Sequence, residues 1–227
     1  MKKDTRQLTL DLPVEPRFGR EDFLVSPSNG QAWETFENWP AWPDRVLLLL
    51  GPTGAGKSHL AAIWAARTQA RVLSASALPL ADLPNIVRAP AILLEDADSA
   101  PQVETEMFHL LNLVRVSNTF LVLTARQWPD TWGLATRDLL SRLRLAPAVE
   151  IGEPDDALVR AVLVKLFVDR QLVVDTSVVE YLALRIERSL DAARIVVEAL
   201  DREALSQSRP ITRPMAADVL RQLESAA

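Results

Sequence analysis

The segment Gly51-Pro52-Thr53-Gly54-Ala55-Gly56-Lys57-Ser58 limits what this chain can fold into more than any other stretch. It fits G-x-x-x-x-G-K-[ST] at every fixed position, a pattern whose glycines let backbone N–H groups turn inward around phosphate. Such a loop needs a buried strand before it and a helix opening at its lysine, because the helix N-terminus adds partial positive charge. Both are legible here. Val46-Leu47-Leu48-Leu49-Leu50 is a continuous apolar run suited to a strand buried on both faces, and helical periodicity runs over Ser58–Ala66. Lys57 is expected to reach the β- and γ-phosphates and the Ser58 hydroxyl to ligate Mg²⁺. The alternative is a glycine-rich strand-to-helix turn that binds nothing.

Further apolar runs of the same kind recur at Val72-Leu73, Ala91–Leu94, Phe120–Leu123 and Val149–Ile151, with helical spacing at Thr105–Val116 and Leu134–Leu143. A helix is also read over Asn29–Trp39. Strands alternating with helices argue for βαβ units and a parallel sheet. After Gly152-Glu153-Pro154 only helical spacing remains, over Asp155–Arg170, Thr176–Arg188, Asp191–Ser206 and Pro214–Leu223. The expected organisation is a polar tail at 1–17, an α/β core at 18–152 and an all-helical domain at 154–227.

Composition narrows the chemistry. The 227 residues carry a net charge of −5, a poor basis for coating duplex DNA, and no apolar run nears the ~20 residues of a membrane helix. Met1-Lys2-Lys3-Asp4 leads into no apolar signal segment, so a cytoplasmic protein is expected. There are no cysteines, and two distant histidines, His59 and His109, make a poor zinc site. The acids ending the apolar run Ile92-Leu93-Leu94-Glu95-Asp96 suit nucleotide chemistry: Glu95 for the Mg²⁺ shell and Asp96 to orient an attacking water. They also read as acids that merely solvate a strand end. Most of the six tryptophans are expected in core or domain-interface packing.

Taken together, these motifs resemble the AAA+ ATPases, within them the bacterial initiator DnaA, and more closely the DnaA-related Hda regulators. Phe23-Leu24-Val25, followed by Ser28-Asn29, is similar to the segment lining the adenine pocket. Phe108-His109-Leu110 with Asn112 looks like the helix after the acidic strand, and Leu121-Val122-Leu123-Thr124 like the sensor 1 strand. Leu140-Ser141-Arg142-Leu143 resembles the arginine-finger box, and Asp191-Ala192-Ala193-Arg194 the sensor 2 motif of a helical lid. The resemblance implies an α/β AAA+ sheet followed by that lid. It implies nucleotide contacts from Val25, the phosphate loop through His59, and Arg194, with ADP or ATP and Mg²⁺ as cofactors. Arg142 would reach a nucleotide held by a neighbouring AAA+ protein. From residue chemistry alone it is a surface arginine on the amphipathic stretch Arg137–Arg144.

Two departures shape the functional expectation. Initiator-type proteins carry an acid two residues after the sensor 1 threonine, where this chain has Arg126; an arginine there can touch phosphate but cannot orient water as an acid does. The chain also ends at Ala227, where the initiator continues into a DNA-binding domain, so direct duplex recognition is not expected. In the tail, Gln7-Leu8-Thr9-Leu10-Asp11-Leu12 resembles the motif that docks bacterial proteins on the replication sliding clamp. Leu8, Leu10 and Leu12 point one way in an extended peptide, with the Gln7 amide at the pocket rim. Three leucines contribute ~6 kcal/mol of burial, much of it offset by ordering, so the tail alone should bind at micromolar level at best. Period-two leucines equally describe an edge strand.

The resulting expectation is a regulator that binds adenine nucleotide, docks on the DNA-loaded clamp (the β subunit of DNA polymerase III) and stimulates hydrolysis of DnaA-bound ATP. Its own ATPase would be weak, and a homodimer is allowed. Two alternatives stand beside it: a self-sufficient ATPase remodelling a nucleic-acid complex, as a helicase loader does, and a P-loop kinase, which the helical end domain and Arg142 disfavour.

Overall fold

A computed structural model describes residues 19–226, which divide into two compact units, 19–155 and 156–226. The first alternates helix and strand: α1 (Gly30–Glu37), β1 (Val46–Leu50), α2 (Lys57–Thr68), β2 (Arg71–Ser74), α3 (Leu83–Ile86), β3 (Ala91–Glu95), α4 (Glu104–Ser117), β4 (Phe120–Ala125), α5 (Arg137–Leu145) and β5 (Ala148–Glu150). The five strands form one parallel sheet in the order β2-β3-β4-β1-β5. The chain therefore leaves β1 towards one side of the sheet and later adds β5 on its other side. The carboxyl ends of the strands at such a reversal form the crevice where α/β sheets hold ligands.

The unbroken apolar runs follow from burial on both faces. Val46, Leu48 and Leu50 pack with Ile92, Leu94, Leu121 and Leu123 against Leu110 and Val114 of α4 and Leu139 and Leu143 of α5. Leu47 and Leu49 face the other way, with Leu93, Val122 and Val149, onto Phe36 of α1 and Leu60 and Trp64 of α2. Trp42 stacks on Trp64 at 5.6 Å, with Phe36 edge-on to both. Trp33, Trp39 and Trp42 pack on this layer and Trp132 is buried in the opposite one.

The second unit is helical: α6 (Asp156–Asp169), α7 (Thr176–Ala183), α8 (Leu190–Gln207) and α9 (Arg213–Ala226). Leu163, Phe167, Leu182, Val197, Leu200 and Val219 form its core. Among the described residues no helix is long and apolar enough to cross a membrane.

Three expectations need correction. Val72-Leu73 is not a strand buried on both faces: β2 is the sheet's edge and Val72 is half exposed. The helix expected from Leu134 starts at Arg137, because the Glu104 carboxylate takes the N–H groups of Ala135 and Thr136 at 2.6 and 2.9 Å and holds the chain extended there. The helix expected through Arg188 stops at Ala183. The chain then turns so that Ser189 caps α8 by accepting the Ala192 N–H. Helix α3 was not foreseen. It is a single turn with Pro84 in its first positions, capped by Asp82, and too short to show a period.

Candidate functional site

The phosphate loop joins β1 to α2 as its motif requires. Gly51, Gly54 and Gly56 have φ of 150°, 71° and 101°, conformations that side-chain-bearing residues avoid. At Gly51 the space is also closed, since a Cβ would fall 2.3 Å from the Ile151 carbonyl oxygen. Pro52 and Thr53 are exposed on the loop and Ala55 is buried beneath it. Lys57 Nζ donates to the carbonyls of Gly51 and Pro52 at 2.7 and 2.8 Å, so the ammonium lies at the loop's first two residues. Ser58 is exposed on the first turn of α2.

Two segments border the loop. On one side the Ile151 N–H donates to the Leu50 carbonyl at 2.8 Å and the Gly152 N–H to the Ser28 carbonyl at 2.8 Å. The turn before α1 is fixed by buried Asn29, whose Oδ1 accepts from the Ser26 N–H and whose Nδ2 donates to the Leu24 carbonyl. Val25 is exposed on this turn. His59, from α2, lies edge-on to Phe23 at 5.3 Å and its Nε2 is 3.2 Å from the Gly19 carbonyl oxygen.

On the other side stand the ends of β3 and β4. The register sets Leu50 opposite Ala125, and the Gly51 N–H donates to the Ala125 carbonyl at 3.2 Å. Glu95 is half-buried at the end of β3, and Asp96 follows it, exposed, with φ of 55°. The Asp96 N–H donates to the buried Thr124 hydroxyl at 3.2 Å, so a β4 threonine shapes the acidic turn. Arg126 Nε donates to Asp98 Oδ2 at 2.6 Å. The Asp98 side chain is only 10% exposed, and its Oδ1 is buried without a partner. Hydrogen bonding to Asp98, then its charge, and more weakly that of Asp96, push the Arg126 pKa above the ordinary arginine value.

The backbone cradle, lysine and helix start fit an anionic phosphate chain. The Ser58 hydroxyl and Glu95 carboxylate are hard oxygen donors of the kind Mg²⁺ takes. The sequence reading passed over Asp98, although an acid two residues beyond Asp96 is visible in Glu95-Asp96-Ala97-Asp98.

Arg142 lies on α5 with its side chain 24% exposed. Its guanidinium hydrogen-bonds Asn112 Oδ1, pairs with Asp138 at 3.0 Å and sits 4.7 Å from the Phe108 ring centroid. It is thus held at the surface by α4 and α5 rather than folded into the core. Arg194, on α8 of the helical unit, pairs with Glu198 at 3.1 Å and lies 3.9 Å from Asp191. Gln7, Leu8, Leu10 and Leu12 lie outside the described residues.

This arrangement is a P-loop α/β fold with a helical unit after it. More narrowly, the fold is the one seen in AAA+ domains of known structure. Domain III of the replication initiation protein DnaA from Thermotoga maritima superposes with a TM-score of 0.77 at 18% identity, over 93% of this chain and 98% of that one. AMPPCP-bound DnaA from Aquifex aeolicus gives 0.67 at 20% identity, over 81% of this chain and 64% of that one. The Thermotoga maritima RuvB Holliday junction branch migration motor gives 0.62 at 17% identity, over 78% and 61%. Compared with protein-family models and with curated protein sequences, the chain has no match.

Proposed function

We propose that this protein binds adenine nucleotide and acts, as the Hda regulators do, on DnaA: it docks on the DNA-loaded sliding clamp and promotes hydrolysis of DnaA-bound ATP, preventing over-initiation. The observation that carries the reading is Arg142, braced on Phe108, Asn112 and Asp138 at the α4–α5 surface with its side chain 24% exposed. An arginine's fixed, always-charged fork suits neutralising phosphate charge in a transition state, and bracing lowers the cost of presenting it across a subunit boundary. Likeness in fold to DnaA domain III supports it, because such a finger works between domains of one architecture.

In the chain's own site, the loop N–H groups after Pro52, up to Ser58, would wrap the phosphates, Lys57 would leave its loop carbonyls for the outer phosphates, and Ser58 with Glu95 would hold Mg²⁺. Bound Mg²⁺ would neutralise phosphate charge. Asp96 would be the group nearest in kind to a water-orienting base, and Val25 and His59 would border the base and its sugar. A part for Arg194 in nucleotide binding rests on the resemblance of its motif alone. The site would serve chiefly as a holding site, with slow turnover, since Arg126 stands where an initiator carries an acid.

The test is DnaA ATP hydrolysis with clamp and DNA present. The parent chain should stimulate it and Arg142→Ala should not; equal stimulation by both would refute the finger. A peptide of residues 4–14 should bind purified clamp, and alanine at Gln7 and Leu10 should abolish this. Asp96, exposed beside Thr124, favours a second reading as a self-sufficient, helicase-loader-like ATPase. That reading requires brisk turnover by the chain alone, raised by single-stranded DNA and lost in Lys57→Ala.

A further inference from the structure

We infer that the amino-terminal edge of the sheet, at the far end of the strands from the phosphate loop, is a contact surface for the phosphate backbone of duplex DNA, made by Arg71, Arg88 and Arg115 with Arg45 beside them. The inference depends neither on nucleotide in the phosphate loop nor on Arg142.

Charge is divided along the strands. In the α/β unit acids gather where strands end: Glu95, Asp96 and Asp98 at and after the end of β3, Glu150 on β5, and Glu153 and Asp155 beyond it. At the strand starts the balance reverses. Arg45 directly precedes β1, Arg71 opens β2, Arg88 lies in the turn entering β3, and Arg115 is in the last turn of α4, which leads into β4. Arg71, Arg88 and Arg115 are exposed, and Arg45 is half-buried with its guanidinium 4.2 Å from the Phe120 ring centroid. Among the described residues none of the four has an ion pair, and the one other arginine of this unit without an ion pair is Arg137. The acids nearest to Arg45 and Arg88 along the chain are engaged with backbone: Asp44 accepts the Val46 N–H at 3.2 Å, and Asp82 the Asn85 N–H at 3.4 Å.

One turn ties the row together. The buried Thr119 hydroxyl donates to the Val87 carbonyl at 2.8 Å and lies 3.4 Å from the Ala89 carbonyl oxygen, so both neighbours of Arg88 are pinned beside the end of α4. The Phe120 N–H donates to the Pro90 carbonyl at 3.4 Å and the Leu121 N–H to the Arg45 carbonyl at 2.7 Å. The register sets Val46 beside Leu121, Phe120 beside Ala91 and Ile92 beside Arg71, so Arg45 and Arg71 stand three strand spacings apart, ~15 Å. Over that length one strand of a duplex carries about four charges. A helix C-terminus accounts for the cation at Arg115 and protection of an edge strand for that at Arg71, but neither accounts for Arg88. Like charges held together on a rigid edge call for an anion that spans them. Phe120 is buried, and Trp39 and Trp42 pack on it at 5.4 and 5.9 Å, so no ring is offered to an unpaired base. The exposed Val72 and Val116 stand on separate elements and form no apolar centre for a protein partner. Contacts of this kind position a protein on DNA without reading its sequence, and the net charge of −5 keeps them weak.

The experiment follows binding of the full chain to a fluorescein-labelled duplex of mixed sequence by anisotropy, between ~50 and ~200 mM salt. The parent should bind at micromolar level at ~50 mM salt, and log K against log salt should fall with a slope of about −3 to −4. Arg88→Gln combined with Arg115→Gln should weaken binding about tenfold or more and make the slope shallower by about two, with the urea midpoint unchanged because both side chains are exposed. Arg71→Gln alone should act in the same direction by a smaller factor. Arg137→Gln, which removes the unpaired arginine at the start of α5, should leave affinity and slope as they are. No binding by the parent at ~50 mM salt, or an unchanged slope in the double variant, would overturn the inference. Equal loss in Arg137→Gln would reduce the effect to net charge and overturn it too. Displacement of the duplex by ADP with Mg²⁺ would move the DNA to the phosphate loop. Tighter binding of a single strand of the same length would replace duplex by single-stranded DNA as the partner, and tighter binding of polyglutamate would replace it by an acidic protein; either result would refute the choice made here.

Discussion

Replacing Gly51 by alanine tests the geometry of the phosphate loop without any ligand. Two costs add. A side chain at φ of 150° lies where residues other than glycine are strained by ~1–3 kcal/mol. The new Cβ would also stand 2.3 Å from the Ile151 carbonyl oxygen, a backbone atom that cannot rotate away. Ile151 must then shift, although it is buried and its N–H donates to Leu50 at 2.8 Å; loosening that bond costs ~1 kcal/mol more. The total is about 3 kcal/mol or above. Gly133→Ala is the control: its φ is 74°, but a Cβ there meets nothing within 4 Å, so only strain of ~1–2 kcal/mol remains, partly offset by stiffening the unfolded chain. Urea unfolding followed by tryptophan fluorescence isolates the right unit, because Trp33, Trp39, Trp42, Trp64, Trp128 and Trp132 all lie before residue 155. With equal m-values, the two variants should differ by ~1–2 kcal/mol or more. A difference under ~1 kcal/mol would mean that the β5 edge yields, and the steric part of the reasoning would be wrong.

Other outcomes follow from the same structure. Trp64→Ala should cost ~3–5 kcal/mol by urea unfolding, and Trp64→Phe less than half of that, because the Trp64 Nε1–H is buried without a partner and its loss forfeits no hydrogen bond. The Glu104 carboxylate is held below its usual pKa by hydrogen bonds from Thr136 and Ala135, so its contribution is full above the ordinary carboxylate range and is lost as pH falls through the depressed value. Glu104→Gln should therefore destabilise the α/β unit near neutral pH and match the parent in acid; a difference that persisted at low pH would contradict this. Lys57→Ala should weaken a fluorescent adenine nucleotide at least tenfold while leaving the urea midpoint nearly unchanged.

The sheet was legible because its central strands are buried on both faces: the five apolar residues of β1 have no solvent side to alternate towards. The edge strand β2 was harder for the reverse reason, as an edge needs only a short apolar stretch and leaves Arg71 and Val72 exposed. Helix ends were misjudged where distant groups decide them. The start of α5 depends on Glu104, 31 residues away from Ala135, and no local pattern announces that contact. Among site residues, the loop and Glu95-Asp96 were visible as motifs, because their spacing along the chain is their geometry. Asp98 was not, since its role comes from β3 lying beside β4, which brings it to Arg126 across 28 residues.

The same adjacency separates two arginines that sequence chemistry treats alike. Arg126 and Arg142 are each paired with an acid, and neither side chain is fully buried. Their partners differ in kind. Every contact described for Arg142 is with α4 or α5, so nothing ties it to its own phosphate loop. Arg126 extends from the residue that hydrogen-bonds Gly51 and is aimed from the turn after β3. A cation braced on a helix pair is placed to act on what approaches from outside. Two assays make the outward assignment sharp: Arg142→Ala should abolish stimulation of DnaA with this chain's own nucleotide affinity unchanged. If Arg142→Ala lost nucleotide binding as well as stimulation, the assignment of Arg142 to an outside partner would have no basis.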